Sequence, residues 1–253
     1  CELRSTAPNF TVVTECVIDA VCLAVECAKP IRITPILLVG EPGVGKSHYT
    51  AELSKCLGVP ITRVDVDNLQ VGAGLSGSSY IYANSEAGVV FKVLSEQGHI
   101  SPLVILDELD KAEISYHGDP LGPLHNLLEP VSARGFKDAS VALPIDASHV
   151  IWIATANYLR RIPATIKSRF EIFEIPPQSR ATKEAIVRGL CEEFKKEYLD
   201  IEFSEKVVSA LIDKTPREQR QLLQRALARA VRLGEAIVCL DHLEQVAPDD
   251  RKR

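Results

Sequence analysis

Methionine is absent from this 253-residue chain, and a cysteine stands at position 1. Such a chain is expected to be a fragment, a shortened chain, or one that lost residues in processing. No run of 18 apolar residues occurs; the nearest approach, residues 11–28, is interrupted by Glu15, Asp19 and Glu26, so no membrane span is expected. A basic leader with a cleavage site is also missing, which argues against export. The seven cysteines form no C-x-x-C pair. Their odd count suits reduced thiols in a cytoplasmic protein, where they read as small apolar residues. Positive charge is in short supply: 29 Lys and Arg against 34 Asp and Glu leave a net charge of −5. That disfavours a broad nucleic-acid surface, though a local basic patch remains open. There is no H-E-x-x-H, the six histidines are scattered, and no Ser/His/Asp or Cys/His set suggests a nucleophile. Internal repeats and low-complexity tracts are lacking too.

What is present begins with a core. Hydrophobic residues make up 46%, and the length suits one large domain or one domain plus a small one. The most informative stretch is Gly40-Glu41-Pro42-Gly43-Val44-Gly45-Lys46-Ser47, which fits the phosphate-loop pattern G-x-x-x-x-G-K-[ST]. Ile36 to Val39 before it reads as a buried parallel strand. Residues 47–57 after it carry Tyr49, Leu53, Cys56 and Leu57 at helical spacing. Glycines in that position let backbone N–H groups surround a phosphate at a helix N-terminus. Lys46 is expected to reach the β/γ-phosphates and Ser47 to hold Mg²⁺; His48 closes the expected cofactor-binding set. ATP and Mg²⁺ are the expected ligands.

Residues 1–9 read as a poorly ordered lead-in. Val13, Val17, Val21 and Val25 then recur every four residues and predict an amphipathic helix from about 12 to 28. Further strands are expected at 61–66, 103–106, 150–155 and 172–175, with a small edge element at 141–145. Residues 72–79 read as a flexible Gly/Ser loop, and Asn84 as the cap of a helix from about 85 to 97. Alternation of strands and helices predicts an α/β fold around a mostly parallel five-stranded sheet covered on both faces. Pro176-Pro177 ends that pattern. Helices are expected at about 180–197, 204–213 and 217–233, with a short strand near 237–240. The expected organisation is a helical lead-in (1–30), an α/β core (31–177) and a helical domain (178–253).

Leu103 to Leu106 is followed by Asp107 and Glu108. A strand ending in two acids, placed beside the first strand, would bring Asp107 to Mg²⁺ and Glu108 to the attacking water as general base. Asn157 ends the next strand and would orient that water, since ligands of open α/β sheets lie at strand C-termini. Taken alone, Asn157 reads more readily as a strand cap.

Together these segments resemble an AAA+ ATPase, and in particular the ATPase module of the Lon family. GEPGVGKS, LVILDELDK, HGDPLGPLHNLLEP, PIDASHVIWIATAN and IPATIKSRFEIFEIP carry the resemblance in order and spacing over roughly residues 30–240. It implies a P-loop core with a small α-helical lid, and hexameric rings with ATP between neighbouring copies. It implies a catalytic role for Arg169 as the arginine finger acting in trans; by itself Arg169 reads as a surface salt-bridge residue. Arg220 would be the sensor-2 arginine of the lid. Tyr80 and Ile81 would grip a substrate polypeptide in the pore, joined by Tyr116. Tyr116-His117 stands where the family usually has Trp-Arg, a departure that puts the second grip in doubt. Nothing resembles the Ser/Lys peptidase domain. The expected function is a Lon-like motor that remodels proteins, a stand-alone ATPase being favoured over a module cut from a protease. A nucleic-acid-associated ATPase is the alternative, disfavoured because residues 72–86 contain no Lys or Arg.

Overall fold

The computed structural model describes residues 3, 7–68, 72–81, 84–113, 119–141, 143–198 and 201–244. The expected pore residue Tyr116 lies outside them. The chain divides into two compact units, Cys1–Pro177 and Gln178–Arg253.

In chain order the first unit contains α1 (Thr11–Glu26), β1 (Ile36–Val39), α2 (Lys46–Leu57), β2 (Ile61–Asp65), α3 (Ala73–Ser76), α4 (Val89–Glu96) and β3 (Leu103–Asp107). There follow α5 (Leu124–Leu127), α6 (Pro130–Ala133), β4 (Phe136–Lys137), β5 (Pro144–Ile145), β6 (Ile151–Ala156), α7 (Ala164–Lys167) and β7 (Glu171–Glu174). Five of the strands form one sheet in the order β2-β3-β6-β1-β7, every pair parallel. The two-residue period sends Ile36, Leu38, Leu103, Ile105, Ile151 and Ile153 into one core and Leu37, Val39, Val104, Leu106, Trp152 and Ala154 into the other. Both sheet faces are therefore covered, as a parallel sheet requires. α1, the turn before it and α2 cover the first face through Phe10, Val13, Val17, Tyr49 and Leu53.

The acid-bearing strand does not lie beside β1: β6 separates them. Strand pairing depends on how each crossover helix packs, which the residues of one strand do not specify. Residues 72–79 are not simply a flexible loop, because α3 drives Leu75 fully into the core. Asn84 caps no helix; α4 begins later, at Val89, after Gly88. The Gly88 N–H donates to Asp138 Oδ2 at 2.9 Å, and a Cβ there would lie 2.4 Å from the Leu75 carbonyl oxygen. That tertiary anchor, rather than a local side chain, sets the helix start.

The amphipathic stripe of α1 is only half used: Val13 and Val17 are buried, while Val25 is exposed. Pro8–Glu26 is, by length and composition, long and apolar enough to cross a membrane, contrary to the sequence expectation. In the structure its N-terminal half is part of the sheet core. The lead-in is likewise engaged, with Leu3 and Ala7 buried. Three of the cysteines behave unlike core residues, since Cys22, Cys27 and Cys56 are exposed, whereas Cys191 is buried in a core as a small apolar residue.

The second unit contains α8 (Arg180–Glu197), β8 (Glu202–Phe203), α9 (Glu205–Leu211), α10 (Pro216–Leu233), β9 (Ile237–Val238) and α11 (Asp241–Glu244). It is not wholly helical, because β8 and β9 pair in parallel. Val187, Phe194, Val207, Leu211, Leu223 and Leu227 are among its core residues. α10 starts with Pro at its first position and a capping box, Thr215 accepting from the Glu218 N–H and Glu218 accepting from the Thr215 N–H. Thr215→Ala is expected to cost about 1 kcal/mol of stability, seen as a lower urea midpoint for this unit. An unchanged midpoint would show the cap to be dispensable.

Candidate functional site

The phosphate loop leaves β1 and turns on two glycines, Gly43 at φ +86° and Gly45 at φ +100°. L-residues with a Cβ rarely adopt such angles, so the sequence folds this way only with glycine at both places. Gly45 caps α2 with its carbonyl, which accepts from the Tyr49 N–H at 2.9 Å. The first-turn N–H groups of α2 have no partner in that helix and face the loop, as at any helix start. Lys46 is buried, and its ammonium donates to the Gly40 carbonyl (2.6 Å), the Glu41 carbonyl (3.1 Å) and Asn157 Oδ1 (2.9 Å). Burial pushes the Lys46 pKa down, and Asp110, Asp107 and Glu108 pull against that shift. A desolvated ammonium inside a ring of backbone dipoles is a strong receptor for phosphate oxygens. The loop is also tied to the lead-in, where the Asn9 amide donates to the Val44 carbonyl at 3.1 Å.

The acids stand across the sheet from this loop. Thr155 of β6 joins them: its hydroxyl donates to Asp107 Oδ1 and accepts from the Glu108 N–H at 3.1 Å. Asp107 Oδ2 faces a cation already, the guanidinium of Arg63 at 3.5 Å. Glu108 adopts the left-handed region, φ 57° and ψ 46°, a strained backbone for a residue with a Cβ. Its carboxylate pairs with Lys111 at 2.6 Å, both side chains well exposed. Asp110 is buried and accepts from the Asn157 and Tyr158 N–H groups at 3.2 and 3.0 Å. That contact fixes the end of β6 and so aims the Asn157 side chain at Lys46.

Ser47 and Asp107 supply hydroxyl and carboxylate oxygens, the hard donors that Mg²⁺ prefers. Among the described residues no group of three or more His, Cys, Asp or Glu could hold a metal alone. A cation here would therefore share its ligands with phosphate, as Mg²⁺ commonly does. Glu41, Pro42, Gly43 and His48 are exposed on the loop and first helical turn, while Val44 is buried beneath it.

The expected arginine finger lies away from this loop. Arg169 precedes β7, whose Glu171 is in register with Ile36 at the start of β1, whereas the loop follows Val39. A four-residue strand spans about 13 Å, so Arg169 lies at the far end of the sheet from its own loop. Its guanidinium donates to the carbonyls of His125 (3.3 Å) and Thr165. Arg220 belongs to the second unit, forms a two-pronged pair with Glu193 at 3.0 and 2.5 Å, and lies 5.7 Å from the centre of the Phe194 ring. Tyr80 and Ile81 are 67% and 78% exposed.

Residues 36–177 match the family model described as the ATPase family associated with various cellular activities (AAA). The chain belongs to the AAA ATPase family. Among curated proteins, this AAA module is 30% identical to Lon protease 2 of Sorangium cellulosum over 242 residues, covering 87% of the chain and 29% of that protein. It is 31% identical to the peroxisomal Lon protease homolog 2 of Zea mays, covering 89% of the chain and 27% of that protein. The chain thus spans under a third of the length of these relatives. Its fold is that of solved RuvB structures from Thermotoga maritima. A RuvB mutant superposes at TM-score 0.66 with 13% identity, over 93% of this chain and 68% of that one. The RuvB Holliday junction branch migration motor superposes at 0.61 with 14% identity, over 93% and 67%.

Four residues of the AAA module's site escaped sequence reasoning: Asn9, Arg63, Asp110 and Thr155. Asp110 had a signal in the D-E-x-D spacing after β3. Thr155 lies two positions before Asn157, on the same strand face. Asn9 and Arg63 had none, because their contacts bridge separate elements.

Proposed function

We propose that this module is an ATP-driven motor that unfolds or translocates polypeptides as a ring of identical copies, six by the family resemblance. The observation that carries the reading is Tyr80–Ile81, an aromatic–aliphatic pair left in water although the chain has ample core to hide it. Tyr80 is not loose: its N–H donates to the Ala139 carbonyl at 3.1 Å. An exposed pair of this kind can hold an unfolded chain by apolar contact, without reading its sequence. The absence of Lys and Arg from residues 72–86 argues against gripping a phosphate backbone. The likeness to Lon proteases at 30–34% identity favours protein over DNA. The RuvB likeness at 13–14% identity speaks only for the fold.

In this reading Lys46 and the loop N–H groups bind the phosphates of ATP. Ser47 and Asp107 hold Mg²⁺, which would neutralise phosphate charge. Glu108 takes the proton of the attacking water and Asn157 orients that water. Arg169 serves the site of the neighbouring copy; its distance from its own loop supports this assignment. Arg220 keeps the sensor-2 role that the resemblance implies, a role that would require its pair with Glu193 to open.

Steady-state ATP turnover tests the substrate class. Casein is expected to stimulate the wild-type chain, single-stranded DNA to leave it unchanged, and Tyr80→Ala to lose the casein response. Stimulation by DNA instead of casein would overturn the protein-motor reading. A Tyr80→Ala variant that still responds fully to casein would remove the grip.

A further inference from the structure

Arg63 stands at the centre of β2, in register with Ile105. Ile105 faces the core that α2 covers, so Arg63 lies on the same side of the sheet as the start of α2. Nη1 is 3.5 Å from Asp107 Oδ2, and Nη2 donates to the Ser47 carbonyl at 3.4 Å. One guanidinium therefore touches both residues assigned to Mg²⁺. Asp107 Oδ1 is taken by the Thr155 hydroxyl, which leaves Oδ2 as the oxygen for a cation.

We propose that Arg63 is the internal counter-ion of the metal position. It neutralises Asp107 while the metal is absent and yields Oδ2 when Mg²⁺ enters with nucleotide. The inference rests on the ATP·Mg²⁺ reading of the site. Two features make the exchange easy. The ion pair is long for a charge-assisted hydrogen bond, and the Arg63 side chain is 42% exposed, so water can take over its solvation. Arg63 thus competes with metal for Asp107, and it also keeps an unneutralised carboxylate from repelling incoming phosphates. It is a positioning residue acting through Asp107.

Mn²⁺ reports on this directly, because the electron paramagnetic resonance signal of the free ion falls on binding. The full chain is titrated with Mn²⁺ in the presence of ADP, as wild type, Arg63→Gln and Arg63→Lys, and the signal lost to ADP alone is subtracted from each titration. Arg63→Gln is expected to bind Mn²⁺ about two- to fivefold tighter, the range set by partly exposed ion pairs. Arg63→Lys should fall between the two, since a compact ammonium keeps the charge but loses the fork. Metal-free ADP binding by Arg63→Gln should weaken. Equal or weaker Mn²⁺ binding by Arg63→Gln, with Arg63→Lys like wild type, overturns the counter-ion role alone. Failure of the wild-type chain to bind Mn²⁺ with ADP overturns the ATP-site reading as well.

Discussion

Arg169→Ala is expected to lower ATP turnover about 10³–10⁵-fold, the range for an arginine that stabilises phosphoryl-transfer charge in trans, while ATP binding persists. The physical basis is position. Arg169 lies at the strand-start end of the sheet, in register with the beginning of β1, and its own phosphate loop is at the other end. It is also anchored on two carbonyls of its own chain, so it is presented at a fixed place rather than free to swing round. Complementation separates a trans role from simple damage. Lys46→Ala copies are expected not to bind ATP but carry an intact Arg169; Arg169→Ala copies are the reverse. In an equimolar ring with head-to-tail interfaces, roughly a quarter of the sites pair an intact loop with an intact arginine. Turnover of the mixture should therefore rise well above that of either variant alone. Mixed rings confirmed by mass, with no recovered turnover, would defeat the trans assignment.

Glu108→Gln should bind ATP with undiminished affinity yet hydrolyse it about 10²–10⁴-fold more slowly, the usual loss when a positioned general base is removed. The substitution keeps the side-chain shape and leaves the Glu108 N–H on the Thr155 hydroxyl. What disappears is the carboxylate that now pairs with Lys111. That pair is exposed, so water competes with it and the carboxylate can turn from Lys111 to a water near the phosphates. Filter binding and single-turnover hydrolysis on the same protein separate the two effects. Near-normal hydrolysis by Glu108→Gln would remove it as the base. Loss of ATP binding would show instead that its left-handed backbone holds the site together.

Much of the candidate site was legible because its parts are short and covalently contiguous. The pattern from Gly40 to Ser47 carries its own geometry: two glycines for positive φ, a lysine and serine at the helix start. The strand ending in Asp107-Glu108 and the one ending before Asn157 were readable as apolar runs with polar tips. The phosphate loop needs no partner element to be recognised, only a strand before it and a helix after it.

Other features depended on distance. Thr155 reaches Asp107 across a sequence separation of 48, and Asn157 reaches Lys46 across 111. No local pattern encodes such meetings. The start of α4 is a similar case. Asn84 is a good capping residue, yet the helix waits for Gly88 because Asp138, 50 positions away, holds that N–H. Arg63 lies in the expected strand at 61–66, and only the pairing of β2 with β3 puts it beside Asp107.

By itself the sequence determined the elements and the chemistry at their ends: where backbone can wrap a phosphate, and which strands finish in acid or amide. Only the tertiary structure decided the strand order, placed β6 between β1 and β3, set Arg63 against Asp107, and sent Arg169 to the opposite end of the sheet. The reason is physical: turn geometry and periodicity are properties of neighbouring residues, whereas strand order follows from how the helices bury both sheet faces at once.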